Sequence, residues 1–407
     1  MRGWRMVFLF ALLVRLAFIL VWYEAGQGGR LSSDSTLYYA EGRSVLEGKG
    51  FVELDGVPTT RRPPLYCVFV GALSKLTVFP LGVYIAQAAI GAASCVILFA
   101  LGREMFGDKI GRLASYLMAV DYASIRFTVE VMAENLFIFF VLLSFYYLYR
   151  YHSLKQTRNI LWAAFFAGLS LLIRESLLYF FLWLSTWFFV FKEPVRTCIS
   201  KASAFIFVVF IVLSPWILRN SFLYGRFTML TTASGHYLYL SNNDTVKGSS
   251  HGGEWIFDRD SYFPQGGPKL PDPYTREADR YFFKKGVEWI RNHPARFIKL
   301  IRPKLVGMWR PYQADSPFPA KLAATATYIP VIILGVIGLI LNLRRWKDLF
   351  PVFSLIAYIF FLHILLHGVV RYRYPAMPFF MILAAHALIK MWEKLSGKRS
   401  IITARIP

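Results

Sequence analysis

The sequence contains very little cysteine: Cys67, Cys95 and Cys198 are the only three in 407 residues. All three lie in or beside apolar segments without paired spacing, so they indicate no zinc site, haem attachment or disulfide framework. We expect them to act as small apolar residues in helices. The sequence also lacks glycine-rich nucleotide-binding fingerprints, P-loops and the HExxH motif. Nothing in it therefore supports a soluble nucleotide-binding protein or a hydrolase that depends on these motifs.

Acidic residues are also scarce, with 24 Asp and Glu against 46 Lys and Arg and a formal net charge of +22. In a soluble domain this excess would indicate a nucleic-acid partner. Here the basic residues collect in short loops between apolar runs, where they fix membrane topology and contact anionic lipid. No nucleic-acid partner is therefore expected.

Apolar and aromatic residues are abundant, at 56% and 17% of the chain, and the mean hydropathy is +0.45. Leu, Ile, Phe and Val recur in runs of about 17–22 residues, the length that a helix needs to cross a hydrocarbon core. Open strands would leave backbone groups unpaired in lipid, so these runs are expected to be helical. The sequence predicts an all-α polytopic membrane protein in which residues 1–407 form a single transmembrane domain.

About ten spans are predicted. They cover residues 5–23, 82–102, 110–126, 129–149, 159–173, 175–191, 202–218, 323–343, 349–369 and 374–392. The apolar stretch 64–80 is assigned instead to a re-entrant or interfacial helix. This assignment places almost every basic loop and both termini in the cytoplasm, as the positive-inside rule requires.

Two large loops then face outward. The first covers residues 24–80, with its interfacial helices, and includes a helical pattern from Thr36 to Leu46. The second covers residues 219–322 and contains an amphipathic stretch from Arg276 to Leu305, broken at Pro294. Such a stretch is typical of surface helices that lie against a membrane. Any chemistry is therefore expected at the outer face of the helix bundle.

Asp34 is the first candidate for chemistry, because it follows the first span and heads a predicted helix. It could cap the N-terminus of that helix. Alternatively, it could act as a general base that accepts a proton from an incoming hydroxyl or amine.

Arg61 and Arg62 precede Pro63 and Pro64, whose restricted backbone presents both arginines at a defined place. Guanidinium groups bind phosphate through paired hydrogen bonds. The alternative is that these side chains snorkel towards lipid headgroups.

Glu130 and Glu134 lie four residues apart at a helix start and share one face. A carboxylate at the edge of a membrane helix is costly unless it is paired or functional. Arg126, one turn earlier, could pair with Glu130. Glu134 is therefore the better functional candidate.

Arg174, Arg371 and Arg373 break the positive-inside pattern, because the predicted topology places all three outside. A buried outward cation needs an anion, which either an acidic loop residue or a substrate phosphate could supply. Arg174 and Arg373 are taken as candidate phosphate ligands.

Four aromatic and imidazole side chains are candidates for substrate binding. Tyr38 and Tyr39 give Asp34 an aromatic setting near the membrane. In the second loop, His236 could be a base, and Tyr237 could stack on a sugar. A Gly- and Tyr-rich loop without such a role is the alternative for these two.

The order of these motifs resembles that of the membrane glycosyltransferases of the GT-C superfamily. The motifs are Asp34, Arg61-Arg62-Pro63-Pro64, Glu134, Pro215-Trp216-Ile217-Leu218-Arg219-Asn220 with Tyr224-Gly225-Arg226-Phe227, and Arg371-Tyr372-Arg373-Tyr374-Pro375 with Pro378. The branch most similar is the glycosyltransferase 39 type, which is related to protein O-mannosyltransferases and to the aminoarabinose transferase of lipid A. The similarity extends from Asp34 to Pro378.

The resemblance implies a GT-C-like helix bundle that moves a hexose or pentose from a polyprenyl-phosphate donor to a glycan, lipid or protein acceptor. It implies transfer at the outer face of a bacterial or archaeal cytoplasmic membrane, with inversion at the sugar. Asp34 would be the base and Glu134 the second acidic position. Arg61 or Arg62 would bind the lipid phosphate, together with Arg373. Some relatives carry an adjacent acidic pair where this chain has only Asp34, so no metal or other cofactor is predicted.

Two other functions compete with sugar transfer. A transporter or flippase of a lipid-linked anion would carry ionisable residues near the bilayer midplane and paired repeats, whereas the charged candidates here cluster at one face. A GT-C-type glycan ligase or polymerase would require an outward Arg/His pair. His236, His251, His363 and His367 are available for such a pair.

Overall fold

The computed structural model describes residues 3–52, 56–190, 193–244, 246 and 276–397. The α-helices in these ranges are α1 Gly3–Glu24, α2 Ser33–Leu46, α3 Pro64–Leu76, α4 Leu81–Phe106, α5 Asp108–Val120, α6 Tyr122–Arg126, α7 Glu134–Leu154, α8 Thr157–Leu171, α9 Leu178–Leu184, α10 Val195–Tyr224, α11 Ser234–Leu240, α12 Arg276–Asn292, α13 Pro294–Trp309, α14 Phe318–Leu341, α15 Phe350–Leu365 and α16 Met377–Leu395. Short 3₁₀ segments cover Glu175–Leu177, Ser185–Phe189, Leu343–Arg345 and Val370–Ala376.

Five helical segments in the described ranges are long and apolar enough to cross a membrane: Gly3–Glu24, Leu81–Phe106, Val195–Tyr224, Phe318–Leu341 and Val370–Leu395. The chain is therefore an integral membrane protein with an all-helical core. The count of about ten spans stays a prediction, because several expected spans are broken into shorter helices.

One such break separates α5 from α6 within the expected span 110–126. The carboxylate of Asp121 accepts a hydrogen bond from the Ser124 amide at 2.8 Å and caps α6. The expected span 175–191 is divided between two 3₁₀ segments and the seven-residue α9. Helix α3 has 13 residues and is about 20 Å long, less than the thickness of a hydrocarbon core. That length fits the interfacial or re-entrant assignment of residues 64–80.

The bundle is built around α16, which is buried at every position from Met377 to Ala387. Helix α16 packs against α14 and α5, and α4 packs against α1, α5 and α7. Helix α8 lies between α7 and α10. Burial on all sides explains why the sequence of α16 is apolar around its circumference in this stretch, apart from His386.

Helices α2 and α3 cross at two glycines. A Cβ atom on Gly42 would lie only 2.2 Å from the carbonyl oxygen of Cys67, and one on Gly71 would lie 2.3 Å from the carbonyl oxygen of Gly42. Only glycine permits so close an approach of two backbones. This crossing holds α2 against the start of α3, where the Arg61-Arg62 pair lies.

The predicted amphipathic stretch is confirmed as α12 and α13, which are interrupted between Asn292 and Pro294. Helix α11 packs against α12, and α13 packs against α15 and the 3₁₀ segment Val370–Ala376. The predicted helix from Thr36 to Leu46 is also confirmed, as α2.

Candidate active site

The first turn of α2 presents Asp34 without using it as a cap. The hydroxyl oxygen of Ser32 accepts a hydrogen bond from the Ser35 amide at 3.2 Å and is the N-cap. Capping by Asp34, one of the two roles considered above, is therefore wrong. Because Ser32 satisfies the helix end, the Asp34 carboxylate is available for other partners.

Two arginines from distant parts of the chain hold the Asp34 carboxylate. Arg62 Nη2 lies 3.0 Å from Asp34 Oδ1, and Arg371 Nη1 lies 2.9 Å from Asp34 Oδ2. The Asp34 side chain keeps 33% of its surface exposed, so the group is reachable from outside the protein. Guanidinium groups bind carboxylate and phosphate in the same way, through charge-assisted paired hydrogen bonds. The two arginines that hold the Asp34 carboxylate are therefore also suited to a phosphate.

Glu41 holds Arg62 from the opposite side. Arg62 Nη1 lies 3.1 Å from Glu41 Oε1, and the Cys67 thiol donates a hydrogen bond to Glu41 Oε2 at 3.2 Å. Glu41 is only 1% exposed, so its charge depends on this pairing. The guanidinium also lies over the Tyr38 ring, 5.1 Å from its centroid. These contacts fix the orientation of the Arg62 guanidinium.

A second ion pair joins Glu134, at the start of α7, to Arg174, just after α8. Glu134 is 2% exposed. The guanidinium carbons of Arg174 and Arg371 each lie 5.5 Å from the centroid of the Tyr372 ring, which places that ring between the two ion pairs. We call these groups, from Asp34 to Arg371, the ion cluster; its members are Asp34, Glu41, Arg62, Glu134, Arg174 and Arg371.

Arg126 and Glu130 form a neighbouring pair, with a distance of 2.9 Å between Nη2 and Oε1. The sequence-based expectation of this pair is confirmed. The side-chain amide of Gln87 donates to the carbonyl oxygen of Glu130 at 2.7 Å and fixes the non-helical stretch before α7. Glu134 is held in place by this local structure.

Burial acts to raise the pKa of the Asp34 carboxyl, but the charges of Arg371 and Arg62 outweigh it and lower the pKa to about 2. The ordinary value is 3.8. A lowered carboxyl pKa contributes stability that is present above pH 3.8 and is lost as the pH falls through about 2.

We therefore predict that wild-type protein is more stable than Asp34→Asn at pH 5 and above, and that the difference shrinks as the pH falls towards 2. Protonated Asp34 loses its attraction to both arginines, so the two proteins converge. Thermal unfolding in detergent, followed by tryptophan fluorescence from pH 6 to pH 2, measures this difference. A difference that stays constant across that range would contradict the ion-paired state of Asp34.

Several predicted site residues lie away from the ion cluster. Tyr39 stacks on Phe79, with ring centroids 4.1 Å apart, on a different side of α2 from Tyr38. Arg373 points to the end of α13, where it donates to carbonyl oxygens and lies 4.0 Å from the centroid of the Tyr328 ring. The structure thus brings Arg371, and not Arg373, to Asp34.

His236 and Tyr237 lie on α11 and have different surroundings. The His236 ring contacts Phe282 of α12 at 5.6 Å. Burial, together with the nearby Arg61 cation, lowers the pKa of His236 to about 4, so its imidazole is neutral at pH 7. Tyr237 faces His367 at 6.0 Å, and His367 Nε2 lies 3.2 Å from the hydroxyl of Tyr372. Tyr237 therefore borders the ion cluster, whereas the charge of Arg61 acts on His236.

Sequence reasoning did not select Glu41 or Arg371. Residues 371 and 373 lie in a 3₁₀ segment, which has three residues per turn, so positions two apart point in different directions. The sequence indicated Arg373 as a candidate phosphate ligand, but only the rotation of the segment determines which of the two arginines reaches Asp34. For Glu41, the seven-residue spacing from Asp34 on one helix was an available signal.

Among the described residues, no group of three or more His, Cys, Asp or Glu side chains is placed to hold a metal ion. Both oxygens of Asp34 and of Glu41 already contact Arg or Cys donors. The donor set as arranged does not fit a divalent cation, which requires several oxygen ligands.

Residues 61–218 match the family model described as dolichyl-phosphate-mannose-protein mannosyltransferase. No curated protein matches the chain in sequence. The fold is similar to the apo crystal structure of the Archaeoglobus fulgidus oligosaccharyltransferase, with a TM-score of 0.60 and 14% identity over 100% of this chain and 53% of that one.

The archaeal oligosaccharyltransferase AglB from Archaeoglobus fulgidus, in complex with an inhibitory peptide and a dolichol-phosphate, gives a TM-score of 0.57 and 13% identity. That alignment covers 98% of this chain and 52% of that one, so the present chain spans about half the length of these structures. ArnT from Cupriavidus metallidurans, bound to undecaprenyl phosphate, gives a TM-score of 0.45 and 11% identity over 100% of this chain and 84% of that one. The chain is therefore a membrane protein of the GT-C glycosyltransferase fold, as its motifs predicted.

Proposed function

We propose that this protein transfers a sugar from a polyprenyl-phosphate donor to an acceptor at the outer face of the membrane, with Asp34 as the general base. The observation that carries the proposal is the partly exposed Asp34 carboxylate held between Arg62 and Arg371. This arrangement combines a proton acceptor with two phosphate-binding cations in one place.

The two arginines suit the leaving group of such a transfer. As the bond between the sugar carbon and the phosphate oxygen breaks, the electron pair goes to the polyprenyl phosphate and its negative charge increases. Cations already fixed in position stabilise this charge without reorganising. Arg62 is fixed by Glu41 and Tyr38, and Arg371 is followed in the chain by the anchored Arg373.

Asp34 suits the acceptor side of the same reaction. The acceptor hydroxyl or amine forms the new bond to the sugar carbon and gives its proton to the carboxylate. In the structure, Asp34 is the counterion of Arg62 and Arg371. We propose that the donor phosphate replaces Asp34 as this counterion. The pKa of the carboxyl then rises from about 2, and Asp34 becomes a stronger base once the donor has bound.

The ion pair of Glu134 and Arg174 lies next to Arg371. Arg174 shares the Tyr372 ring with Arg371 and adds a third cation near the phosphate position. Glu134 holds this cation, as Glu41 holds Arg62. Tyr38 and Tyr237 supply aromatic surface on which a sugar ring could stack.

The outward location is supported by the helix ends that carry the ion cluster. Glu134 begins α7, Arg174 follows α8, and Arg371 precedes α16. The opposite ends of α4, α7 and α16 lead to the short basic segments that are expected in the cytoplasm. The AglB complex with a dolichol-phosphate supports a lipid phosphate as the class of donor for this fold.

The test is sugar transfer by purified protein in liposomes, with a panel of radiolabelled polyprenyl-phosphate hexoses and pentoses and an acceptor extract. We expect a labelled product and an equal amount of released polyprenyl phosphate. Donor that crosses the bilayer without release of lipid phosphate would establish a flippase instead. Transfer of whole glycans from a lipid carrier would establish a ligase or polymerase.

A further inference from the structure

The segment 366–376 carries Arg371 and Tyr372 and lies against α13. Two buried basic side chains connect it to that helix. Lys304 of α13 contacts the end of α15 just before the segment, and Arg373 near the end of the segment contacts the end of α13. We propose that Lys304 and Arg373 are positioning residues, which together set the place of Arg371 opposite Asp34. This inference rests on the proposed role of Arg371 in binding the donor phosphate.

Lys304 forms the first fastening. Its side chain is 0% exposed, and Nζ donates to Asn242 Oδ1 at 2.8 Å and to the carbonyl oxygens of Ile364 and Leu365 at 3.1 and 3.2 Å. The last carbonyls of a helix have no partner within that helix. Lys304 therefore caps the C-terminal end of α15, directly before the segment begins.

Asn242 ties α11 to the same point. Its side-chain amide donates to the carbonyl oxygens of Leu238 and Leu365, each at 2.8 Å. Among the described residues, no carboxylate forms an ion pair with Lys304. A buried lysine with only neutral acceptors is costly, and burial lowers its pKa to about 7. A lysine that only made the helix soluble would be exposed. The buried Lys304 instead connects Asn242, just after α11, with the end of α15.

Arg373 forms the second fastening, at the other end of the segment. Its side chain is 3% exposed, and it donates to the carbonyl oxygens of Met308, at 2.5 Å, of Arg310, and of Pro311, at 3.3 Å. These carbonyls lie at the C-terminal end of α13 and just beyond it. Lys304 of α13 thus caps the helix before the segment, and Arg373 of the segment caps α13 in return.

Gly368 allows close contact between the segment and α13, at a point between Lys304 and Arg373. A Cβ atom at this position would lie 2.0 Å from the carbonyl oxygen of Lys304 and 3.1 Å from Cβ of Met308. The backbone of the segment is therefore pressed onto α13 itself. Arg371 lies three residues after this contact and two before Arg373, so its position follows that of α13.

The experiment compares Lys304→Met, which removes the cation but keeps an unbranched apolar side chain, with Lys304→Arg, which keeps the charge. Lys299→Met is the matched control, because Lys299 is exposed on the same helix. We expect Lys304→Met to lower kcat/KM for the polyprenyl-phosphate donor by about 10- to 100-fold, since small displacements of a binding group have effects of that order. Lys304→Arg is expected to recover most of the loss, and Lys299→Met to match wild type.

A double-mutant cycle with Arg371→Gln separates positioning from general destabilisation. If Lys304 acts through Arg371, Lys304→Met adds little to the loss already caused by Arg371→Gln. A fully additive loss would overturn the proposal. If Lys304→Met does not fold, Gly368→Ala displaces the same segment while every charge stays in place, and it is expected to give the same kinetic loss.

Amide hydrogen exchange of residues 366–376 provides a readout that needs no sugar transfer. We expect faster exchange in Lys304→Met and unchanged exchange in Lys299→Met. Unchanged exchange in Lys304→Met overturns the fastening itself, whatever the activity of the wild type. Faster exchange with wild-type kinetics overturns its role in placing Arg371. Absence of transfer by the wild type is a separate result, which overturns the proposed function and with it the role in donor binding.

Discussion

The substitution Asp34→Asn is expected to abolish sugar transfer and, at the same time, to strengthen the binding of the lipid phosphate. Loss of a general base lowers turnover by about 10²- to 10⁴-fold. The asparagine amide has nearly the shape of the carboxylate but no charge, so it would no longer compete with phosphate for Arg62 and Arg371. We expect severalfold tighter binding of undecaprenyl phosphate, measured by titration of purified protein, alongside the loss of radiolabelled product.

Asp108→Asn is the matched control for this experiment. Asp108 pairs with Arg112 at 2.8 Å, both side chains are 51% exposed, and both lie at the opposite end of α4 from the ion cluster. We expect wild-type transfer and binding from this variant. Transfer by Asp34→Asn within about threefold of wild type, far less than the loss of a base, would show that the base lies elsewhere. Weaker lipid-phosphate binding by Asp34→Asn would refute the exchange of counterions and indicate that Asp34 itself helps to hold the donor.

The substitution Arg371→Gln is expected to lower kcat/KM for the donor by about 10²- to 10³-fold, because one preorganised cation at a developing negative charge has effects of that size. The expected change includes weaker binding of undecaprenyl phosphate, since a charge-assisted contact to the phosphate is removed. Arg371→Lys should recover only part of this loss, because an ammonium group lacks the planar fork of a guanidinium. Donor titration and initial rates measure the two effects separately.

Arg112→Gln provides the control for charge, because it removes one exposed cation far from the cluster. Arg373→Gln is not a neutral control, because Arg373 is proposed above to position Arg371. It removes a cation two residues away that contacts only carbonyl oxygens and an aromatic ring among its described partners. We expect Arg373→Gln to lower thermal stability, since buried carbonyls lose their donor. If Arg371→Gln keeps wild-type affinity for undecaprenyl phosphate, the phosphate site proposed here is wrong.

Local signals in the sequence were sufficient for the class of protein and for several elements. Apolar runs of membrane length predicted an integral helical protein, and five segments meet that description. The proline at residue 294 predicted the break between α12 and α13, since proline starts a helix readily but does not continue one. These outcomes depend on neighbouring residues alone. The number of spans cannot be predicted from neighbouring residues alone, because tertiary contacts and caps such as Asp121 divide long apolar stretches.

Local features brought Asp34, Arg62, Glu134 and Arg174 to attention, and the order of short motifs indicated the GT-C fold. Each of these is distinctive in its own local setting: a carboxylate after a span, an arginine before two prolines, a charge within an apolar run. The pairing among them is not local. Asp34 and Arg371 are 337 residues apart, and Asp34 and Arg62 are 28 apart.

By itself, then, the sequence determined the membrane class, the helical periodicity and the set of charged residues from which a site could be built, because these follow from hydropathy and spacing along the chain. The tertiary structure decided which charges meet. In the folded protein Arg371, and not Arg373, pairs with Asp34, and Glu41 pairs with Arg62. Lys304 is buried against the end of α15. The physical reason is that an ion pair requires two groups within a few ångströms, and only the packing of α2, α3, α13 and the 3₁₀ segment fixes those distances.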